Sequence, residues 1–228
     1  MFARIPKLLS EEQLATVRAS LGSETAPWVD GRATAGHQGA QVKNNQQLDE
    51  TSALARELGG FILSQLERHG LFVSAVLPNK VYPPMFNRYG EGMHFGTHVD
   101  GTVRMIPGSS QKLRTDLSAT LFLASPQGYE GGELVVESDF GSQSAKLPAG
   151  DLLVYSSTSR HRVNAITRGQ RLACVFWIQS LIRDDGQRAQ LFELDRTIQR
   201  LTETGADADS LVRLTAHYHG LLRAWTEI

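Results

Sequence analysis

The sequence predicts a mainly β domain with flanking helices, a sandwich or jelly roll. Two observations carry this. Between about residues 78 and 180, short apolar runs alternate with Gly-, Pro- and Ser-containing turns, as in sandwiches and jelly rolls. Before and after that region the apolar residues fall into helical stripes instead. The 228 residues are 41% hydrophobic and 21% charged, the balance of a soluble globular protein. This length is one domain, or one domain with a helical appendage, and it can bury a full core. We place the boundary at 1–182, with the core at about 78–180, followed by 183–228.

Taken in order, Ser10 and Gln13 form a capping box for a helix with Leu14, Val17 and Leu21 on one stripe, stopped by Gly22. Val29 to Leu48 is polar and contains Gly31, Gly36 and Gly39, but no phosphate-loop pattern, and reads as a loop near a site. Within it, Asn44 and Asn45 suit either turns or substrate contacts. Asp49 to Arg68 reads as a second helix, with Leu54, Leu58, Phe61, Ile62 and Leu66 along one face. Gly59-Gly60 weakens it by roughly 1 kcal/mol per glycine unless it packs closely on a sheet. Leu71 to Leu77 and Lys80 to Tyr89 read as strands, with Pro83-Pro84 marking an edge or bulge.

Gly101 to Arg114 reads as a basic loop, either solvated or steering substrate, and Asp116 to Ala124 as a buried strand. Gln127 to Gly132 is a turn. Glu133–Glu137 and Gln143–Leu147 form a hairpin around Asp139–Ser142. Leu152–Tyr155 and Arg171–Ile178 are further strands. Beyond Ile182, Asp184-Asp185 can cap a helix to about Thr204, broken by Gly205. Asp209 or Ser210 opens another with Leu211, Leu214, Tyr218, Leu221 and Trp225. Such stripes need a cover, either the chain's own sheet or a second copy in a homodimer. His217 and His219, two apart on a helix, face different sides and do not chelate together.

The chemistry concentrates in Arg88 to Arg171. On a strand, His98 and Asp100 point to one face. With His161 they make two imidazoles and one carboxylate, the donor set of non-haem Fe(II) sites that keep open positions. An isolated HxD pair is common; the strand runs and the cation Arg171 downstream single this one out. His94 would share the side of His98 on an ideal strand, but Gly96 interrupts the alternation, and we read it as a neighbour of the site.

Tyr89, His98-Val99-Asp100, Gly131-Gly132, His161 and Arg171 resemble the iron(II)- and 2-oxoglutarate-dependent dioxygenases of the prolyl-4-hydroxylase-like group. The words FNRYGEGMHFGTHVD, RTDLSATLFLASPQGYEGGELVVE, LPAGDLLVYSSTSRHRV and RLACVFWIQSLIRDD are closer still to the bacterial PKHD-type hydroxylases. VDGRATAGHQGAQVKNNQQL and LTAHYHGLLRAW extend the resemblance over nearly the whole chain.

The resemblance implies a double-stranded β-helix in 1–182 and a helical hairpin in 183–228. It implies Fe(II) on His98, Asp100 and His161, and 2-oxoglutarate on Arg171 and Tyr89. O2 would be the oxidant, ascorbate a supporting reductant, and a small molecule or peptide the substrate, with a link to iron uptake. Asp100 stands where halogenases of the superfamily have a small residue, so hydroxylation is implied. Trp177 stands where nucleic-acid demethylases have a second arginine. Leu123 stands where some prolyl hydroxylases place a second tyrosine on 2-oxoglutarate, which would shift the anchoring onto Arg171.

The net charge of −1 leaves no electrostatic footprint for nucleic acid. No apolar run reaches membrane-spanning length, and the first residues lack a secretory pattern. The single Cys174, in an apolar run, suits a core position and a cytoplasmic protein. The rival from another class is a cupin-like, non-catalytic metal- or ligand-binding sandwich. It would need HxH with a nearby Glu, and it has no use for Arg171.

Overall fold

The computed structural model describes residues 2–138 and 141–228. The chain begins with β1 (Phe2–Ile5) and α1 (Glu11–Leu21). Then come β2 (Trp28–Asp30), a 3-10 turn (Gly31–Thr34), α2 (His37–Val42), β3 (Lys43–Asn44) and β4 (Gln46–Leu48). Helices α3 (Ala53–Arg68) and α4 (Gly70–Val76) lead into β5 (Pro78–Val81), β6 (Met85–Tyr89) and β7 (His94–His98). A small hairpin, β8 (Val103–Met105) and β9 (Lys112–Arg114), precedes β10 (Leu117–Phe122). Strands β11 (Tyr129–Gly131), β12 (Leu134–Ser138), β13 (Gly141–Ala145) and β14 (Leu152–Ser156) follow. The run of strands ends with β15 (His161–Val163), β16 (Ile166–Gly169) and β17 (Arg171–Ser180). Helices α5 (Asp185–Glu203) and α6 (Ala208–Trp225) close the chain.

Most of the strands form two facing antiparallel sheets, the jelly roll the sequence predicts, while β11 with β16 and β8 with β9 make separate two-stranded pairs. The larger runs β1-β14-β10-β17-β6-β4-β2, with β5 also on β17; the smaller runs β13-β12-β15-β7-β3. Strand β17 shows how the sequence separates two faces. Cys174, Phe176 and Ile178 pack with Leu14, Ile62 and Phe72 on the helix side. Arg171, Val175 and Trp177, on the other parity, line a cavity between the sheets. Cys174 is a buried core residue there, and burial pushes its thiol far above the usual range.

The helix signals in the sequence work locally. Both halves of the Ser10–Gln13 capping box form, and Gly22 caps the end. Helix α3 starts at Ala53 because Asp49 turns the chain first, accepting from the Thr51 N–H at 2.9 Å, and Ser52 becomes the N-cap. Gly59 lies where an added Cβ would be 3.6 Å from Pro84, the close approach that explains a glycine there.

Four readings need correction. Leu71–Leu77 is mostly helix α4. It buries Phe72, Ala75 and Val76 at helical spacing, is capped by the His69 side chain, and stops at Leu77 with φ 47. A short apolar run does not reveal its period. The Val29–Leu48 loop is a series of short elements that pair into both sheets. The 101–114 loop contains the β8–β9 hairpin, turned near Gly108 at φ 74. Helix α6 is capped by Asp207, which accepts from the Ser210 N–H at 2.8 Å, earlier than Asp209 or Ser210. In the Asp139–Ser142 turn, Asp139 and Phe140 lie outside the described residues; the flanking Ser138 and Gly141 pair. Among the described residues, no helix is long and apolar enough to cross a membrane.

Candidate metal centre and its cavity

His98 ends β7, and His161 opens β15 directly opposite it in the smaller sheet. Asp100 lies two residues past His98, just beyond the strand end. Turn geometry, rather than a continuing strand, therefore places the carboxylate. The candidate ligand atoms of His98, Asp100 and His161 all lie within 4.8 Å of one another.

Each ring is held in a way that leaves one nitrogen for a metal. His98 Nδ1 meets the Gly96 carbonyl at 2.8 Å, and His161 Nδ1 meets the Ser159 carbonyl at 3.0 Å. A carbonyl only accepts, so both Nδ1 atoms carry a proton, and in each neutral ring the lone pair lies on Nε2. Burial, reinforced by His161, lowers the His98 pKa to about 4, which keeps that imidazole neutral. The Phe95 ring stacks on His98 at 3.6 Å and fixes its plane. Ser118 donates to Asp100 Oδ2 at 2.5 Å, and the Ser157 hydroxyl lies 2.7 Å from Ser118. With Ser118 donating to the carboxylate, Ser157 donates in turn to Ser118. These donors suit a divalent ion of intermediate softness such as Fe(II). His94 turns to the Gly92 carbonyl and stays outside the cluster.

Arg171, at the start of β17, is 2% exposed and pairs across the sheet with Tyr89. Its guanidinium carbon lies 5.3 Å from the Tyr89 ring and 5.5 Å from the Phe122 ring. Its Nε has no hydrogen-bond partner, and no ion pair to it forms among the described residues. A buried guanidinium without an anion is expensive, and the position suits an anionic ligand. Gly131 and Gly132, at φ 71 and 67, let the chain close over it: a Cβ on Gly132 would lie 3.2 Å from Arg171 Cδ.

The cluster and Arg171 line one cavity of about 590 Å³. Residues Ala33–Gly39 form one wall, and Val103, Arg104 and Met105 of the β8–β9 hairpin contribute to the mouth. The Arg104 guanidinium lies over Trp177 at 3.8 Å and Tyr82 at 4.9 Å. Tyr89 is buried and lines the cavity, whereas Leu123 packs in the helix-side core and does not. Sequence reasoning missed Lys43, Asn87, Tyr129 and Tyr155. Lys43, Asn87 and Tyr155 line the cavity, and Tyr129 lies near enough for the Arg171 charge to act on its phenol. Strand parity would have pointed to Asn87, two residues before Tyr89. Of the two asparagines considered, Asn44 is exposed, while Asn45 is buried beside Tyr89.

Comparison with known proteins decides the family. Residues 84–179 match the 2OG-Fe(II) oxygenase superfamily, and residues 185–227 match the PKHD-type hydroxylase C-terminal domain. A PKHD-type hydroxylase of Cupriavidus metallidurans is 58% identical over 227 residues, covering 100% of both chains. The chain belongs to the PKHD-type hydroxylases.

As a PKHD-type hydroxylase it is a 2-oxoglutarate-dependent enzyme that uses Fe(II) and O2, which removes the non-catalytic sensor reading. The fold agrees. A prolyl-4-hydroxylase of Pseudomonas putida superposes with TM-score 0.53 at 18% identity, covering 78% of this chain and 92% of that one. HygX of Streptomyces hygroscopicus, solved with nickel, 2-oxoglutarate and hygromycin B bound, gives TM-score 0.52 at 14% identity. It covers 77% of this chain and 81% of its own.

Proposed function

We propose that His98, Asp100 and His161 hold the Fe(II), that Arg171 and Tyr89 hold 2-oxoglutarate, and that the enzyme hydroxylates a C–H bond of a small molecule or peptide. One observation carries the reading: a buried guanidinium with no ion-pair partner among the described residues shares a cavity with a two-imidazole, one-carboxylate cluster. When bound, the iron couples O2 to oxidative decarboxylation of 2-oxoglutarate, yielding succinate, carbon dioxide and the oxidising power for hydroxylation.

The chain's own residues do the rest. The carbonyls of Gly96 and Ser159 hold the Nδ1 proton of each neutral imidazole and so orient Nε2 toward the cluster. Ser118 orients Asp100. Arg171 offers a planar fork to the far carboxylate. Burial holds the Tyr89 phenol above its ordinary pKa, so it stays a hydrogen-bond donor beside that carboxylate. The apolar walls exclude water from the reacting atoms.

Residues 1–182 are the oxygenase unit and 183–228 a structural hairpin, in a cytoplasmic enzyme that ascorbate supports and that pairs as a homodimer. The test is anaerobic addition of 2-oxoglutarate to Fe(II) protein, then O2. A visible metal-to-ligand charge-transfer band followed by succinate is expected. Mass spectrometry of treated cell extract then looks for a gain of one oxygen. No band in wild type, or an unchanged band in His161→Ala, would overturn the assignment.

A further inference from the structure

Lys43 is a second buried cation in the same cavity. It is 7% exposed, on β3 at the edge of the smaller sheet, paired with Phe95 of β7. Its ammonium lies 5.4 Å from the Phe95 ring, the ring that stacks on His98. It donates to Thr34 Oγ1 and Gln47 Oε1, both at 3.2 Å. These are neutral oxygens, and a lysine has three donors. No ion pair to Lys43 forms among the described residues. The nearest acid, Glu50, reaches it only through Gln47, whose amide donates to Glu50 at 2.9 Å.

A second polar group waits nearby. Gln47 pairs with Asn87 across β4 and β6, so both face the cavity side of the sheet. Asn87 is 4% exposed, lines the cavity, and its Oδ1 has no hydrogen-bond partner among the described residues.

Charge bookkeeping gives the sign of the missing group. The doubly positive iron and Arg171 are balanced by Asp100 and the two carboxylates of 2-oxoglutarate. Lys43 is then the buried cation left over. Arg104, at the mouth, is partly exposed and screened by solvent. We propose that Lys43 anchors the primary substrate by a carboxylate, with Asn87 accepting from a neighbouring N–H or O–H of the same molecule. The inference rests on the assignment of iron and 2-oxoglutarate above, and it narrows the substrate class to carboxylates bearing a nearby donor. Burial brings the Lys43 pKa down to about 8, the cost of an ammonium held dry without an anion.

The probe is trifluoroacetate, added to protein loaded with Mn(II) and 2-oxoglutarate, read by fluorine NMR relaxation. Wild type should give a saturable paramagnetic enhancement that neutral trifluoroacetamide does not. Lys43→Met should weaken it about tenfold or more, the loss of one charged hydrogen bond. Lys43→Arg should keep part of it. In Lys43→Met the anaerobic Fe(II) band should titrate with 2-oxoglutarate as in wild type, which separates an anchor from a structural support. No saturable enhancement in wild type, an equal one in Lys43→Met, or equal binding of the amide overturns the inference. A missing band in wild type would instead overturn the metal-site assignment on which the inference rests.

Discussion

Arg171 and Lys43 are opposite cases of one problem, a cation buried without an anion. On the proposed assignment the missing partner of Arg171 is the co-substrate, so its removal should be felt in binding. Breaking a buried charged pair from one side costs about 3–5 kcal/mol, and each 1.4 kcal/mol is about tenfold. Arg171→Leu should weaken 2-oxoglutarate by roughly two to three orders of magnitude in the charge-transfer titration. Fe(II) affinity without co-substrate should hold, because no metal ligand is lost. Arg88 and Arg114 are poor substitutes: Arg88 stacks on Trp28 and donates to Gln46, and Arg114 pairs with Asp116.

For Lys43, beyond the binding effect proposed above, the burial should also be felt in stability. Its pKa falls from the ordinary 10.5 to about 8 on folding. The unfolded chain therefore binds the proton more tightly, and wild type is penalised below the folded value and recovers as pH rises from about 8 to 10.5. Lys43→Met should be more stable than wild type at neutral pH by about 2–3 kcal/mol, with the gap closing toward pH 10.5 in urea titrations. A constant gap would mean the proton is not the cause. The candidates His98, Asp100, His161, Tyr89 and Arg171, which line one cavity, could be picked out because short words in the sequence carry them. Lys43 was not, because only the pairing of β3 with β7 brings it to the cavity.

At the scale of elements, the Gly131-Gly132 turn has the sharpest requirement. Both residues have positive φ, and a Cβ on Gly131 would lie 2.0 Å from the Ala165 carbonyl oxygen. Backbone cannot yield as a side chain can. Gly131→Ala combines left-handed strain of about 1–2 kcal/mol with overpacking of about 1–3 kcal/mol. A loss of about 2–5 kcal/mol is expected, read as a lower Tm. Because the turn also roofs Arg171, 2-oxoglutarate affinity should fall with it. The helices with caps and long stripes, α1, α3 and α5, were readable from sequence because their signals are local. Helix α4 was misread because its seven residues are nearly all apolar. Strand β1 gave no signal: its partner β14 lies far along the chain, joined through Ile5 and Leu152.

At the scale of the molecule, the C-terminal hairpin is tied to the oxygenase unit yet incompletely covered. Ile182 and Leu191 are fully buried with Leu77, and Tyr218, Leu221 and Trp225 pack against them. Arg188, 1% exposed, holds the Ile182 and Arg183 carbonyls, and the Glu227 N–H donates to Leu181. The near end of the hairpin is thus part of the core. No residue of α6 is fully buried, however, and Val212 is 67% exposed. The stripe of α6 is thus only partly covered, and a two-fold dimer is the commonest way to cover the remainder. Helix α6 is about 27 Å long at about 1.5 Å per residue, too little for the roughly 800 Å² per partner of a stable interface. A dimer must therefore use α5 as well, as a four-helix packing of two hairpins. Light scattering should give twice the chain mass, and Val212→Glu with Leu211→Glu should halve it while 2-oxoglutarate binding persists. A monodisperse wild-type monomer at high concentration would remove the dimer and leave the stripe a surface of one chain.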